Sequence, residues 1–290
     1  MPTERILTLI DELVASGTYR LGIFGGEPLV RNDIYEIVAY AKKRGLVVHL
    51  YTNGNLVRDK IDAIKILDGL FISLDGPEEI HDQLRGKGNY RRVIEAVETA
   101  RRYVPVYLIT VLSKQNKGHI EYVSQIAEKY DCLINFQLVV DKPSFSPDVS
   151  EYKLSEEEER ECILEIIELK KKNSRIALSN TNLRMMLKRG SFVPRVGYQG
   201  GIVKCWNGRA ACSIDANGDV YSCFELIGRE DVLNLKQHTF KEAFGHIKNC
   251  RCKNCDATCS AEYNYWLSFN PEAISNLIGL LRSSIKKKPI

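Results

Sequence analysis

The sequence predicts an α/β protein, a parallel sheet wrapped by helices, followed by a small cysteine-rich α+β unit. Three observations carry this. Over residues 1–140, amphipathic helical stretches alternate with short apolar runs rich in Val, Ile, Leu and Tyr. Three successive runs end in Gly, Asn or Asp. Seven of the nine cysteines fall between Cys205 and Cys259.

The first helix is expected from Glu4 to Ala15. Strands follow at Leu21 to Phe24, Val47 to Tyr51, Leu70 to Ser73, Val106 to Leu112 and Leu133 to Val139. Helices fit between them at Asp33 to Lys43, Arg58 to Leu67, Arg91 to Tyr103 and Gly118 to Lys129, with Asn32 and Asp33 as N-cap candidates and Gly45 after the basic end. Such alternation with short loops implies parallel strands, in a barrel or a doubly wound sheet. In either, ligands gather at the C-terminal strand ends. From Ser144 the alternation is expected to stop, and an acidic-started helix runs from Ser155 to Lys172. Its Glu156 to Glu159 and Lys170 to Lys172 complement the helix dipole, so they imply no binding site. Cys162 in this helix and Cys132 before its strand read as packed thiols. Asp215 to Asp219 then closes a hairpin whose strands bear Cys212 and Cys223.

The first three strand ends run into Gly25-Gly26-Glu27-Pro28, Thr52-Asn53-Gly54 and Leu74-Asp75-Gly76. Alone, each is an ordinary turn. After successive parallel strands they share one rim, where glycines let a ligand approach the backbone, Glu27 can accept from an ammonium, and Ser73 or Asp75 can bond ribose hydroxyls. Asn116 and Gln137 can complete the rim, or be a turn residue and a barrel-interior amide.

The cysteines run Cys205, Cys212, Cys223, Cys250, Cys252, Cys255, Cys259. Thiolates with a C-x2-C step converge on a soft metal or an iron–sulfur cluster. Disulfides are the competing reading, but the chain opens on the charged amphipathic stretch Pro2 to Ser16 with no secretory signal, which favours a reducing, cytoplasmic setting and metal. A length of 290 residues, 44% of them hydrophobic, supports one large domain and a small appendage. Net charge of +4 with dispersed basic residues gives no nucleic-acid signal, and no apolar run reaches membrane-span length.

These motifs, with His81-Asp82-x2-Arg85-Gly86, resemble the core of radical S-adenosylmethionine (radical SAM) enzymes over about Pro2 to Val140. Cys205 to Cys259 is similar to their SPASM or twitch auxiliary-cluster extension. The resemblance implies a partial (β/α)6 barrel over 1–143, a helical connector over 144–201, an iron–sulfur domain over 202–264, and a C-terminal helix and basic tail over 265–290. It implies S-adenosylmethionine as cofactor, held through Gly25, Gly26, Glu27 and Pro28, with Asn53, Ser73, Asp75 and Asn116 around it. It also implies one auxiliary [4Fe–4S] cluster on Cys205, Cys223, Cys252 and Cys255, with Cys212 or Cys259 able to replace a member. Hydrogen abstraction from a peptide or small-molecule substrate by a 5′-deoxyadenosyl radical, with a flavodoxin- or ferredoxin-like electron donor, is the implied activity.

One departure stands out. The family holds its radical-generating cluster with C-x3-C-x2-C after the first barrel strand, and here no cysteine precedes Cys132. Five strand candidates stand where the partial barrel has six. A truncated start is therefore expected, with the chain inactive alone and active when extended. The alternative is a non-catalytic iron–sulfur or zinc binding subunit.

Overall fold

The computed structural model describes residues 1–139, 149–187, 204–228, 230–247 and 258–285. Five strands, β1 (Arg20–Ile23), β2 (Val47–Thr52), β3 (Gly69–Ser73), β4 (Val106–Leu112) and β5 (Leu133–Leu138), form one parallel sheet in sequence order. Helices α1 (Thr3–Ala15), α2 (Ile34–Lys43), α3 (Ile61–Lys65), α4 (Glu78–Arg85), α5 (Asn89–Ala100) and α6 (Ile120–Lys129) make the connections. The expected α/β class and all five strands are present. The helix α4 was not foreseen, because its polar sequence EEIHDQLR has too few apolar residues to show a period.

Period-two alternation decides which face meets the helices. Val48, Leu50, Leu70, Ile72, Leu108, Ile134 and Phe136 are fully buried on the helix side. Their neighbours His49, Tyr51, Phe71, Tyr107, Asn135 and Gln137 are only partly buried, so the opposite, inner face is left for other contacts.

The alternation does not stop at Ser144, as the sequence suggested. The helix α7 (Glu156–Lys172) is closed at its start by a capping box between Ser155 and Glu158, and it buries Cys162, Ile163 and Ile166 in the barrel core. The chain then returns beside β5, where Ile176 makes a parallel bridge to Ile134. That is one more β-α-β step. It escaped notice because a single bridge has no run of apolar residues to announce it. Helix α8 (Asn180–Leu187) adds Leu183 and Met186 to the same core.

The second layer rests on α1. Hairpin strands β6 (Ser213–Ile214) and β7 (Val220–Tyr221) and helix α9 (Phe240–His246) pack Val220, Leu235, Phe240 and Ala243 against Leu9 and Leu13. Ile10 on the same helix enters the barrel core, so α1 is apolar on two sides and joins the units. Glu12 adds polar cement by accepting from Arg5 and from the Phe240 backbone N–H at 2.8 Å. Finally α10 (Thr258–Leu267) packs on α8, β5 and α11 (Pro271–Ile285). Among the described residues no helix is long and apolar enough to cross a membrane.

Candidate functional site

The three strand-end segments do meet on one rim, and their centre is Glu27. Its Oε1 accepts from Thr52 Oγ1 at 2.8 Å and from the Leu29 N–H at 3.1 Å, while Oε2 accepts from the Asn53 N–H at 2.7 Å. Three neutral donors fix this carboxylate, and no Lys or Arg among the described residues pairs with it. Its negative charge is therefore oriented but uncompensated, an arrangement suited to a cationic ligand. Gly25 and Gly26 beside it are exposed, and Pro28 is buried at the start of a short 3₁₀ turn. Gly54 has a φ of +86°, and a Cβ there would stand 3.1 Å from Val93, so both backbone and packing require glycine.

Behind the rim runs a relay of buried polar groups. Asp75 is 3% exposed; its Oδ2 accepts from Arg85 Nε at 2.6 Å and its Oδ1 from the Val111 N–H at 3.1 Å. The Asp75 N–H donates to His81 Nδ1, and His81 Nε2 is 2.6 Å from Asn89 Oδ1. This requires neutral His81 protonated on Nε2. Burial lowers its pKa in agreement, outweighing its bond to Asn89. Asn89 Nδ2 then donates to Asn55 Oδ1, and the Asn55 N–H to Asn53 Oδ1. Thus Asp75 holds the second and third rim loops in register, with both oxygens engaged by protein donors. Asn116 is likewise withdrawn: 1% exposed, it accepts from the Ser113 N–H and donates to the Val111 carbonyl, the turn role. Ser73 stays on the inner face, half-buried.

Below the rim the inner face carries aromatic rings at matched register. Tyr51 pairs with Phe71, and Phe71 with Tyr107. The rings stack at 4.4 and 4.5 Å between centroids, 13° and 12° from parallel. One layer down, Gly22 and Gly69 flank His49 in register. Arg20 Nε donates to His49 Nδ1 at 3.0 Å, and its guanidinium reaches across to the Tyr263 hydroxyl and ring on α10. Burial, with Arg20 adding to it, pushes the His49 imidazole down to about 4. This layering was not read from the sequence, because the three rings stand at different distances from the ends of β2, β3 and β4 and only the strand register brings them into one row.

The described cysteines fall into two environments. Cys132 and Cys162 are packed in the barrel core, where burial raises their thiols to about 12 and about 11. Cys212 is packed against the apolar cluster on α1, and burial raises it to about 12. Cys205 and Cys223 have amide neighbours, Cys205 while also packing against Ala261, Tyr265 and Ala273: Asn264 Nδ2 lies 3.8 Å from Cys205 Sγ, and Asn207 Nδ2 3.3 Å from Cys223 Sγ. Between them the chain is clamped at Gly208, where φ is +74° and a Cβ would stand 2.8 Å from the Ile247 carbonyl oxygen. Cys250, Cys252 and Cys255 lie outside the described residues, as does the side chain of Cys259. Among the described residues no three His, Cys, Asp or Glu converge on a metal position.

Comparisons with known proteins agree with this geometry. Residues 1–126 match the model of the Radical SAM superfamily. The mycofactocin maturase MftC of Mycolicibacterium smegmatis is 26% identical over 230 residues, covering 77% of this chain and 56% of the relative; the chain thus spans little more than half of that protein. The AdoMet-dependent heme synthase of Methanosarcina barkeri is 29% identical over 261 residues, covering 83% and 72%. Among solved structures, Streptococcus suis SuiB bound to the precursor peptide SuiA superimposes with a TM-score of 0.68 at 14% identity, over 90% of this chain and 64% of that one, a likeness of fold. The match to the Radical SAM superfamily thus runs from α1 through most of α6.

Proposed function

We propose that the rim binds S-adenosylmethionine, with the Glu27 carboxylate receiving its amino group, Gly25 and Gly26 lying along its methionyl part, and Asn53 and Ser73 on the polar remainder. The observation that carries this reading is the fixed but uncompensated charge of Glu27. Asp75 and Asn116 take supporting roles, since their side chains are spent on protein partners. Residues 205–259 hold one auxiliary [4Fe–4S] cluster through Cys205, Cys223, Cys252 and Cys255. Cys212, partly buried against apolar side chains, stays outside it. The protein is read as maturase-like, with a 5′-deoxyadenosyl radical supplied by the cofactor only in a form that carries the C-x3-C-x2-C thiolates absent from this sequence. SuiB, which shares the fold, has been solved bound to a precursor peptide, and this supports a peptide as substrate.

Calorimetry tests the rim. Glu27→Gln keeps the side-chain size and removes the charge, so S-adenosylmethionine should bind about 10- to 100-fold more weakly, corresponding to about 1.5–3 kcal/mol for a charge-assisted bond. 5′-Methylthioadenosine, which lacks the ammonium, should bind parent and variant alike. Equal affinity of the two proteins for S-adenosylmethionine would reduce residues 25–28 to a turn.

One observation favours a second reading, that of a binding subunit. The C-x3-C-x2-C thiolates are absent from residues 1–131, so the residues present do not fit a radical-generating cluster. The 290-residue chain, reconstituted with iron and sulfide and given dithionite, is expected to bind S-adenosylmethionine and release no 5′-deoxyadenosine. Its appearance in the chromatogram would exclude the subunit reading.

A further inference from the structure

We propose that Asn207 and Asn264 donate N–H···S hydrogen bonds to two ligand thiolates of the auxiliary cluster and thereby set its reduction potential. The inference rests on the auxiliary-cluster reading above.

It is carried by the orientation of the two amides. Asn264 is 1% exposed, and its Oδ1 accepts from the Trp206 N–H at 2.8 Å. A backbone N–H must face the amide oxygen, so the amide cannot be turned over, and its nitrogen is the group presented to Cys205 Sγ. Asn207, two residues after Cys205, sends Nδ2 to Cys223 Sγ at 3.3 Å. Each amide joins separate segments: Asn264 belongs to α10, which carries Cys259 near its start, while Cys205 and Asn207 flank Trp206 opposite the end of β7. A neutral thiol is a weak acceptor, whereas a thiolate is a strong one, so a donor fixed on each of two sulfurs suits the ionised, ligating form. Cys132, by contrast, directs its thiol to the Tyr130 carbonyl. Between these two cysteines in the chain, Gly208 sits against Ile247 after α9 and Ser222 after β7.

Reduction adds one electron to a cluster and spreads the charge over its sulfurs. Hydrogen bonds to those sulfurs favour the reduced state and raise the potential. Asn207 and Asn264 are therefore positioning residues, acting through the cysteines and touching no substrate.

The experiment compares the parent chain with Asn207→Leu and Asn264→Leu, near-isosteric changes without a donor or a charge. All three are reconstituted anaerobically, assayed for iron and sulfide, and titrated with dithionite while the reduced cluster is followed by electron paramagnetic resonance. Each variant should retain the parent's iron and show a lower midpoint potential. Loss of one donor should shift the oxidised-to-reduced ratio about tenfold, equivalent to about 59 mV for a one-electron couple. Because Asn264 is buried and also holds Trp206, its variant is judged alongside Asn207→Leu, whose site is partly open to solvent. A parent chain that takes up no iron and sulfide would remove the cluster reading and this inference together. A parent cluster whose potential is unchanged in Asn207→Leu would overturn the inference and leave the cluster standing.

Discussion

The barrel rim and the cysteine segment are both built to hold a ligand, yet they achieve this by opposite means. At the rim, residues far apart in sequence are placed by the sheet: parallel strands deliver residues 25–28, 52–55 and 74–76 to one edge, and buried hydrogen bonds from Asp75 through His81, Asn89 and Asn55 to Asn53 lock them. In the cysteine segment short elements bring Cys205 and Cys223 near α9 and α10, and two amides and a glycine do the placing. The rim is preorganised by the fold that carries it. The cluster segment depends far more on local side chains.

The largest effect that separates the two regions is expected at Asp75. Asp75→Ala would leave Arg85 and the Val111 N–H without their acceptor, and the Arg85 side chain is 35% exposed, so part of its charge is rehydrated. A loss of about 3 kcal/mol follows, at the lower end of the range for breaking a buried pair. Urea unfolding measures it, with binding of S-adenosylmethionine weakened in the fraction that stays folded. A change below about 0.5 kcal/mol would show that the rim loops are held independently of this hub.

Next in size is the response to acid, which belongs to the barrel. His49 sits at about 4 when folded, against an ordinary value near 6.5 when unfolded. The unfolded chain therefore binds the proton more readily, so this contribution to stability is complete above pH 6.5 and is lost as the pH falls from 6.5 to about 4. Its size is on the order of 1–3 kcal/mol. His81, lowered by burial, acts in the same direction. Urea midpoints at about pH 7 and about pH 5 should differ clearly in the parent and less in His49→Gln. An identical pH dependence in both would assign the acid sensitivity elsewhere.

The same contrast explains what the sequence revealed. Five strands and their polar ends were legible because β-branched and aromatic runs punctuated by Gly-Gly, Asn-Gly and Asp-Gly encode both strand and turn locally. Glu27 could be singled out for the same reason. The assignments of Asp75 and Asn116 followed from position alone. Their actual partners, Arg85 and the Val111 backbone, are set by a helix too polar to be noticed and by a turn whose geometry the residue names do not specify. In the cysteine segment the thiols were obvious, but Asn207 and Asn264 were not. An asparagine has no periodic signature, and its role appears only when the oxygen's partner fixes the nitrogen's direction.

The smallest effect is the sharpest test of how the described cysteines divide. Cys212 packs against the apolar cluster formed by Leu9, Leu13, Val220 and Phe240, and among the described residues it has no amide donor of the kind that Cys205 and Cys223 receive. Cys212→Ala removes one sulfur from that packing, so a loss of about 1 kcal/mol is expected, the scale of a small buried truncation. The iron and sulfide content after reconstitution should be unchanged. Cys223→Ser is expected to do the reverse. Its side chain is half-buried and nearly the same size, so apo stability should move by less than about 0.5 kcal/mol, the range of a surface change, while the cluster is lost. Thermal unfolding of the two apo proteins, set beside iron per chain after reconstitution, gives a crossed pattern: one variant loses stability and keeps iron, the other keeps stability and loses iron. If Cys212→Ala lost its iron as completely as Cys223→Ser, the amide donor would no longer distinguish a ligand from a packing thiol, and the cluster's ligand set would have to be redrawn to include Cys212.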